Sequence, residues 1–219
     1  MKKSIIVIIG LVSIVGLTGC TNNKNINEKQ IVGKEIEKVE QKSSIVSCDG
    51  KYLDLAENIE ELEESSPIIV TVTKRSEKKS ITKESKNSNV PTEFYTMSEV
   101  VINNIEKDET KTLEENKTIK VLEDSVENVK IDGQEYDLTI DGYKNMKEDE
   151  EYTLFIRKST SGDNYVLTNA MLSKYPVAEL SESELFLENE ENKEEAIDMK
   201  DTYKDTYKDI YKEVLSDYN

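Results

Sequence analysis

The sequence predicts a mainly β domain, with a short helix before it and an acidic helical tail after it. Runs of β-branched or alternating apolar residues begin after Pro67, which is typical of strands. Asp-Gly pairs separate some of these runs, and such pairs favour tight hairpin turns. Residues 51–64 carry apolar side chains at helical spacing, and a four-residue repeat containing Tyr and Lys begins at Asp201.

The short helix is predicted over residues 51–64. Leu55, Ile59 and Leu62 follow the i, i+4, i+7 spacing that places apolar side chains on one face of a helix. Pro67 marks the end of this helix, because the residue before a proline is biased towards extended geometry.

Several extended segments are predicted after Pro67. They are residues 68–73, 92–105, 118–122, 126–131, 134–140, 151–158 and 164–172. The polar residues 75–91, between the first two segments, are predicted to form a loop. Asp132-Gly133 supplies the positive φ angles of a type I′ turn and therefore predicts a hairpin. Asp141-Gly142 predicts a second turn.

The segment 92–105 has two distinct faces, since successive side chains of a strand point to opposite sides. One face is expected to carry Phe94, Thr96, Ser98, Val100 and Ile102. The other face is expected to carry Tyr95, Met97, Glu99 and Val101.

The order of these segments resembles a group of small, uncharacterised bacterial lipoproteins and secreted domains. The matching positions are residues 68–73, 119–122, 147–156 and 165–176. The resemblance covers roughly residues 65–178 and implies a small OB-like antiparallel β-barrel, in a group with no known catalytic activity. Two positions depart from the group's pattern. Asp149 stands where the group has a turn glycine, and residues 169–173 replace a glycine-rich strand end.

The first twenty residues have the three parts of a cleaved signal, in order. Lys2 and Lys3 give a positive start, and residues 5–17 form an apolar run. As a helix this run spans about 20 Å, which is short of the roughly 30 Å hydrocarbon core of a membrane. The run ends in Leu17, Thr18, Gly19 and Cys20.

This ending resembles the lipobox of bacterial lipoproteins, with Leu17, Thr18 and Gly19 as the signal-peptidase recognition residues. The resemblance implies cleavage between Gly19 and Cys20, with lipidated Cys20, carrying a diacylglycerol thioether and palmitate, as the new N-terminus. The expected location is the extracytoplasmic face of the cell membrane, held by this lipid. The alternatives are a secretory signal with an incidental cysteine and a retained membrane anchor.

Four regions are therefore expected. They are a signal peptide (1–19), a flexible tether (20–44), the short helix with the OB-like barrel (45–178), and an acidic helical tail (179–219). The tether is predicted from its polar composition, which offers few apolar side chains to bury.

The acidic composition excludes several function classes. A formal net charge of −17 makes nucleic acid a poor partner, and histidine, the commonest general base and zinc ligand, is absent. No calcium loop, P-loop, dinucleotide fingerprint or nucleophile elbow is present. The sequence therefore predicts no catalytic residue, no metal site and no cofactor.

Cys48 is the one thiol that remains if Cys20 is lipidated. It is predicted to be a small, half-buried hydrophobic residue. The other possibilities are an intermolecular disulfide and a reactive thiol. Both lack support, because no histidine is present to activate Cys48 and the neighbouring Asp49 raises its pKa.

The tail contains the candidate partner-binding residues Tyr203, Tyr207 and Tyr211. A four-residue period advances about 400° per repeat on a helix, so these tyrosines form one slowly drifting stripe. Tyrosine buries a large area and keeps a polar group, which suits docking on a partner or on the barrel. The alternative is a solvated tail that packs loosely or stays disordered.

These observations predict a membrane-anchored, non-enzymatic binding module whose partner is an unknown protein or cell-wall ligand. The alternative from another class is a carboxylate-dependent hydrolase of cell-wall or peptide substrates. A third hypothesis is a purely structural or solvating surface protein.

Overall fold

The computed structural model describes residues 43–50, 55–85, 88–186 and 201–218. These residues belong to one compact unit. The predicted signal peptide, with Leu17, Thr18, Gly19 and Cys20, lies outside the described residues. So do residues 20–42 of the predicted tether and residues 187–200 of the tail.

The described chain is mainly β, as predicted. Its strands are β1 (Ser44–Cys48), β2 (Ile68–Ser85), β3 (Ser88–Asp108), β4 (Thr118–Glu123), β5 (Ser125–Ile131), β6 (Gln134–Ile140), β7 (Glu151–Lys158), β8 (Tyr165–Leu167) and β9 (Lys174–Pro176). Its helices are α1 (Ile59–Ser65), α2 (Glu182–Leu185) and α3 (Asp201–Asp217), with a 3-10 turn at Ala170–Ser173.

The strands form two sheets. The larger sheet has the order β2-β3-β4-β8-β7-β9, and β2 also pairs with β7 on the side away from β3. All neighbours in this sheet are antiparallel except β4 and β8, which are parallel. The smaller sheet has the order β1-β6-β5, in which β1 runs parallel to β6.

The predicted alternation along β3 is confirmed. Thr96, Ser98, Val100 and Ile102 are fully buried, whereas the residues between them are partly exposed. The buried face packs against apolar side chains of β2, β4 and β7 in the main core. Phe94 is half-buried and packs on the core of the smaller sheet instead.

The predicted loop at residues 75–91 is wrong, because β2 extends to Ser85 and pairs with β3, which begins at Ser88. Residues 86 and 87 lie outside the described residues. This part of β2 and β3 extends beyond the strands β7 and β4 that flank the rest of the hairpin, which accounts for its polar composition. β2 pairs with β7 only as far as Thr73, and β4 pairs with β3 only from Thr96. A bulge between Lys74 and Ser76 lies where β2 leaves β7, as expected of a device that bends a strand.

Among the described residues of the predicted helix, 55–58 are not helical, and α1 begins at Ile59. Residues 51–54 lie outside the described ranges. Asn58 is its N-cap, and the Asn58 Oδ1 accepts a hydrogen bond from the backbone N–H of Glu61 at 2.9 Å. This cap satisfies a backbone donor that would otherwise be free, so the helix begins there.

The last predicted strand, residues 164–172, is also corrected. Only Tyr165–Leu167 is extended there, because a 3-10 turn follows with Ala170 at a φ of 50° and the chain then returns as β9. Three predicted turn positions hold. Asp132 and Gly133 have φ angles of 50° and 84°, and Asp141 and Asp149 are also in the left-handed region.

The helices cover one side of the larger sheet. Tyr175 on β9 packs against Tyr207 and Tyr211 of α3, with ring centroids 4.7 Å and 6.1 Å apart. Tyr218, just after α3, packs edge-on against Phe155 of β7 and donates a hydrogen bond to Glu63 of α1. Helix α3 therefore completes the packing of β7 and β9.

Candidate functional site

A row of side chains crosses the outward face of the larger sheet, the face that also carries Phe155 and Tyr175 beneath α3. Strand register places Lys78, Met97, Leu122, Val166 and Arg157 opposite one another on β2, β3, β4, β8 and β7. We call these five residues the outer row. Three adjacent apolar side chains form its centre, and a cation stands at each end.

The orientation of the outer row follows from its neighbours along each strand. Val121 and Tyr165, adjacent to Leu122 and Val166, are buried in the main core, so Leu122 and Val166 point away from it. Met97, Leu122 and Val166 are half-buried, whereas Lys78 and Arg157 are exposed. The centre of the row is thus an apolar surface that solvent reaches.

Further apolar side chains widen this surface along β3. Tyr95 and Val101 share the outward face with Met97, and both are half-buried. The face predicted from the alternation of residues 92–105 therefore lies on the outside of the sheet, next to the apolar side chains of β4 and β8.

The charges around the apolar centre are mostly positive. Lys78, Lys120 and Arg157 are exposed, and none of them forms an ion pair with a residue in the described ranges. Glu99 lies opposite Lys120 on this face, and its Oε2 accepts a hydrogen bond from the Ser76 hydroxyl at 3.0 Å. The exposed Glu93 also shares this face, which therefore carries three cations and two carboxylates in a chain with a net charge of −17.

A second cluster of polar groups lies inside the fold, around the fully buried Glu123. The Glu123 Oε2 accepts hydrogen bonds from the Tyr143 hydroxyl at 2.8 Å and from the Met146 backbone N–H at 2.7 Å. The Glu123 Oε1 accepts one from the Ser98 hydroxyl and lies 3.5 Å from the Lys74 ammonium.

Lys74 is equally enclosed, and its ammonium has three partners. Besides Glu123, it donates to the Glu77 carboxylate and to the Met146 carbonyl, each at 2.6 Å. Paired buried charges of this kind hold elements in a fixed arrangement, and here they join β2 and β4 to the segment between β6 and β7. The carboxylate of Glu123 is fully occupied, so it is not free for acid–base chemistry on a substrate.

Lys174 lies beside a small cavity of about 30 Å³, which has room for one or two waters. Its ammonium lies 4.3 Å from the centre of the Tyr143 ring. Burial lowers the pKa of the Lys174 ammonium to about 8, while the negative charge of Glu123 opposes this shift. Asn145 also lines the cavity, and its buried Oδ1 has no hydrogen-bond partner.

The tyrosines predicted to bind a partner have different environments. Tyr207 and Tyr211 are each 5% exposed, and their hydroxyls donate to the carbonyls of Lys174 and Ala178. These two side chains are used within the domain, which is the arrangement expected if the helix docks on the sheet. Tyr203 is half-exposed and packs partly against the main core.

Cys48 is half-buried at the end of β1 and forms no disulfide. Burial, with Asp49 and Asp141 nearby, raises the pKa of its thiol. A raised pKa lowers the thiolate fraction, which fits the prediction of an unreactive side chain.

Within the described ranges, no group of three or more His, Cys, Asp or Glu side chains is arranged to hold a metal ion. In the same ranges, no helix is long and apolar enough to cross a membrane. Comparison of the chain with protein-family models, with curated proteins and with solved structures found no match.

Sequence reasoning missed the outer row as a unit, although it placed Met97 on the correct face of its strand. Lys78 was assigned to a loop, and the pairing of Leu122 with Val166 joins residues far apart in sequence. The alternation of each strand was available in the sequence, but the register that aligns the strands was not.

Proposed function

We propose that this protein is a lipid-anchored, extracytoplasmic binding module whose ligand binds on the outer face of β3, β4 and β8. The outer row carries this proposal. It presents three adjacent, partly exposed apolar side chains between two exposed cations. An exposed apolar patch with a polar rim is the usual form of a protein interaction site.

The pairing of the strands supports an OB-like barrel for this module. Pairing runs from β2 through β3, β4, β8 and β7 and returns to β2, with one parallel pair, between β4 and β8. OB folds bind their ligands on the face formed by their second and third strands. The corresponding strands of this circuit are β3 and β4, which carry Met97 and Leu122.

A binding role is favoured over catalysis by the state of the interior charges. Glu123 and Lys74 satisfy each other and their neighbours, and the cavity next to Lys174 holds no more than small molecules of the size of water. A hydrolase needs two carboxyl groups that face a substrate cleft. The two larger concavities that carry carboxylates, one beside Glu63, Glu64 and Glu106 and the other beside Glu150 and Glu151, are open to solvent.

The anchor is the lipid proposed for Cys20. Two or more acyl chains hold a protein stably on a membrane, whereas one does not. The strongly negative chain would be repelled by anionic lipid headgroups and held away from the surface. Replacing Cys20 by Ser in the full chain is expected to move the protein from the membrane fraction to the soluble fraction and to abolish the lipid-dependent mass increase. Membrane retention of this variant would contradict the anchor.

A pull-down tests the binding face. A soluble fragment of residues 21–219 is immobilised and then exposed to solubilised envelope of the source cells. Leu122→Glu puts a charge in the apolar centre and is expected to abolish retention of any specific species. Gln134→Glu adds the same charge on an exposed hairpin and serves as the control. Circular dichroism verifies that both variants fold. Equal retention by the two variants would overturn the proposal.

A further inference from the structure

We propose that the outer row binds a short, extended acidic segment of a partner protein, in which apolar side chains lie between two carboxylates. This inference rests on the proposed function and names the chemical class of the ligand. The two cations at the ends of the row, the distance between these cations and the apolar side chains between them support it.

The charges favour an anionic partner. Lys78 and Arg157 are exposed at the two ends of the row, Lys120 lies beside it, and none has an ion-pair partner in the described chain. Two carboxylates of β3, Glu93 and Glu99, share the face of the row, and Glu99 is engaged by Ser76. Unpaired cations around an apolar centre are complementary to carboxylates around apolar side chains.

The width of the row matches an extended peptide. Neighbouring strands lie about 4.8 Å apart, so the four gaps from β2 to β7 separate Lys78 and Arg157 by roughly 19 Å. An extended chain rises about 3.3 Å per residue, so roughly six residues span this distance. A peptide that crosses the strands would place carboxylates at positions i and i+6 near the two cations. Its side chains at i+2 and i+4 would then lie over Met97, Leu122 and Val166.

The apolar centre argues against other anions. A polyanion without apolar groups would leave Met97, Leu122 and Val166 exposed to water. Its binding would therefore lack the hydrophobic contribution that burial of these side chains provides. An acyl chain is normally enclosed in a concave pocket, whereas this row lies on a sheet face. An anionic membrane surface would also meet the repulsion of a chain with a net charge of −17.

The probe is a fluorescein-labelled peptide with the sequence Ser-Glu-Ser-Leu-Ser-Leu-Ser-Glu-Ser, titrated with the 21–219 fragment and followed by anisotropy. Two control peptides replace both Glu by Lys, or both Leu by Ser. The acidic apolar peptide is expected to bind saturably and at least about tenfold more tightly than either control, because each control loses one of the two complementary contacts.

Charge reversal in the protein provides the matched test. Lys78→Glu and Arg157→Glu are each expected to weaken binding of the acidic peptide by about fivefold to tenfold and to strengthen binding of the Lys peptide. Lys130→Glu, on the exposed hairpin of the smaller sheet, is the control and is expected to change neither.

The outcomes separate this inference from the proposed function. If the Lys peptide binds as well as the acidic peptide, or if the acidic peptide does not bind, the inference is overturned. The proposed function still stands in that case, provided that Leu122→Glu abolishes retention of envelope species. If Leu122→Glu has no effect on envelope retention, the proposed function itself fails.

Discussion

At the scale of single residues, the protein stabilises charge inside its core by giving each charged atom several partners. Glu123 and Lys74 are 0% and 1% exposed, and each contacts the other as well as hydroxyl or backbone groups. Such a pair contributes little net stability relative to an apolar pair of the same shape, but it is costly to break.

Glu123→Gln is therefore expected to destabilise the fold by about 3 kcal/mol, because Lys74 loses a buried counter-charge. The amide would also bring a donor towards groups that already donate, namely the Tyr143 hydroxyl and the Met146 N–H. Urea unfolding measures this loss. The control is Glu135→Gln, which removes an exposed pair with Lys130 and is expected to cost less than about 0.5 kcal/mol. Equal losses in the two variants would contradict the structural role of Glu123.

Asp124 gives the fold a pH dependence of defined sign. Burial raises the pKa of Asp124 to about 6, and the charges of Glu123 and Asp141 add to this effect. The folded state then holds a proton that the unfolded chain has already released between about pH 4 and pH 6. The contribution of Asp124 to the free energy of unfolding is therefore greatest at low pH and is lost as the pH rises through 6.

The difference between the wild type and Asp124→Asn isolates this contribution. As the pH rises from 4 to 7, the wild type is expected to lose on the order of 1–2 kcal/mol relative to Asp124→Asn, since one pKa unit corresponds to about 1.4 kcal/mol and partial exposure reduces it. Urea unfolding at several pH values measures the difference. Asp163→Asn, at a fully exposed carboxylate, is the control and is expected to change the slope much less. A difference that is constant with pH would contradict the assignment.

At the scale of elements, the hairpin of β5 and β6 depends on one glycine. Gly133 has a φ of 84°, and a Cβ placed there would meet no atom within 4 Å. The cost of Gly133→Ala is thus conformational alone, and about 1–2 kcal/mol is expected, because an L-residue is strained in the left-handed region.

Gly162→Ala is a useful comparison. Its Cβ would approach the Asn164 amide, a flexible side-chain end that can rotate away, and Gly162 is not in the left-handed region. A smaller loss of thermal stability is expected for Gly162→Ala than for Gly133→Ala. The reverse order would show that contact, rather than backbone conformation, determines the cost at these turns.

Elements with a strong local pattern were predictable from the sequence, and elements defined by their partners were not. The hairpin at Asp132-Gly133 and the alternation of β3 are confirmed, because turn chemistry and alternation are local. The extension of β2 beyond Thr73 was missed, because its polar side chains resemble a loop and only the pairing with β3 holds them extended. Strand β1 was also missed, since its partner β6 lies far along the chain.

The candidate site was partly predictable for the same reason. Alternation placed Tyr95, Met97 and Val101 on a common face, which is confirmed by their partial exposure. The alignment of Met97 with Leu122 and Val166 depends on register between distant strands, which a single sequence does not specify.

At the scale of the whole molecule, α3 packs against α1, β7 and β9 and joins them into one body. The aromatic cluster of Tyr175, Tyr207, Tyr211 and Phe186 links β9 and α2 to α3, while Tyr218 reaches Phe155 and Glu63. Residues of α3, for which a solvated tail was one of the two alternatives, thus form part of the main core. A core shared in this way predicts that α3 and the sheet unfold together.

Tyr207 and Tyr203 provide a matched pair for testing this cooperativity, because they are the same residue type one turn apart on α3. Tyr207 is 5% exposed and stacks 4.7 Å from Tyr175, whereas Tyr203 is half-exposed. Tyr207→Ala is expected to cost about 3–5 kcal/mol, as for other large-to-small aromatic changes in cores. Tyr203→Ala is expected to cost about 1 kcal/mol or less, as is usual near a surface.

The decisive observation is whether Tyr207→Ala lowers the stability of the whole molecule or of α3 alone. Far-ultraviolet circular dichroism follows the helices and sheets, and tyrosine fluorescence follows the eleven tyrosines, which include those of the aromatic cluster, in a chain without tryptophan. If α3 and the sheet are one cooperative unit, Tyr207→Ala shifts both urea transitions to the same lower midpoint. If α3 only rests on a self-sufficient sheet, Tyr207→Ala separates an early transition of the helix from an unchanged transition of the strands. That second outcome would leave Tyr175 and Phe155 exposed on a folded sheet, and would make the surface beneath α3 available to other ligands.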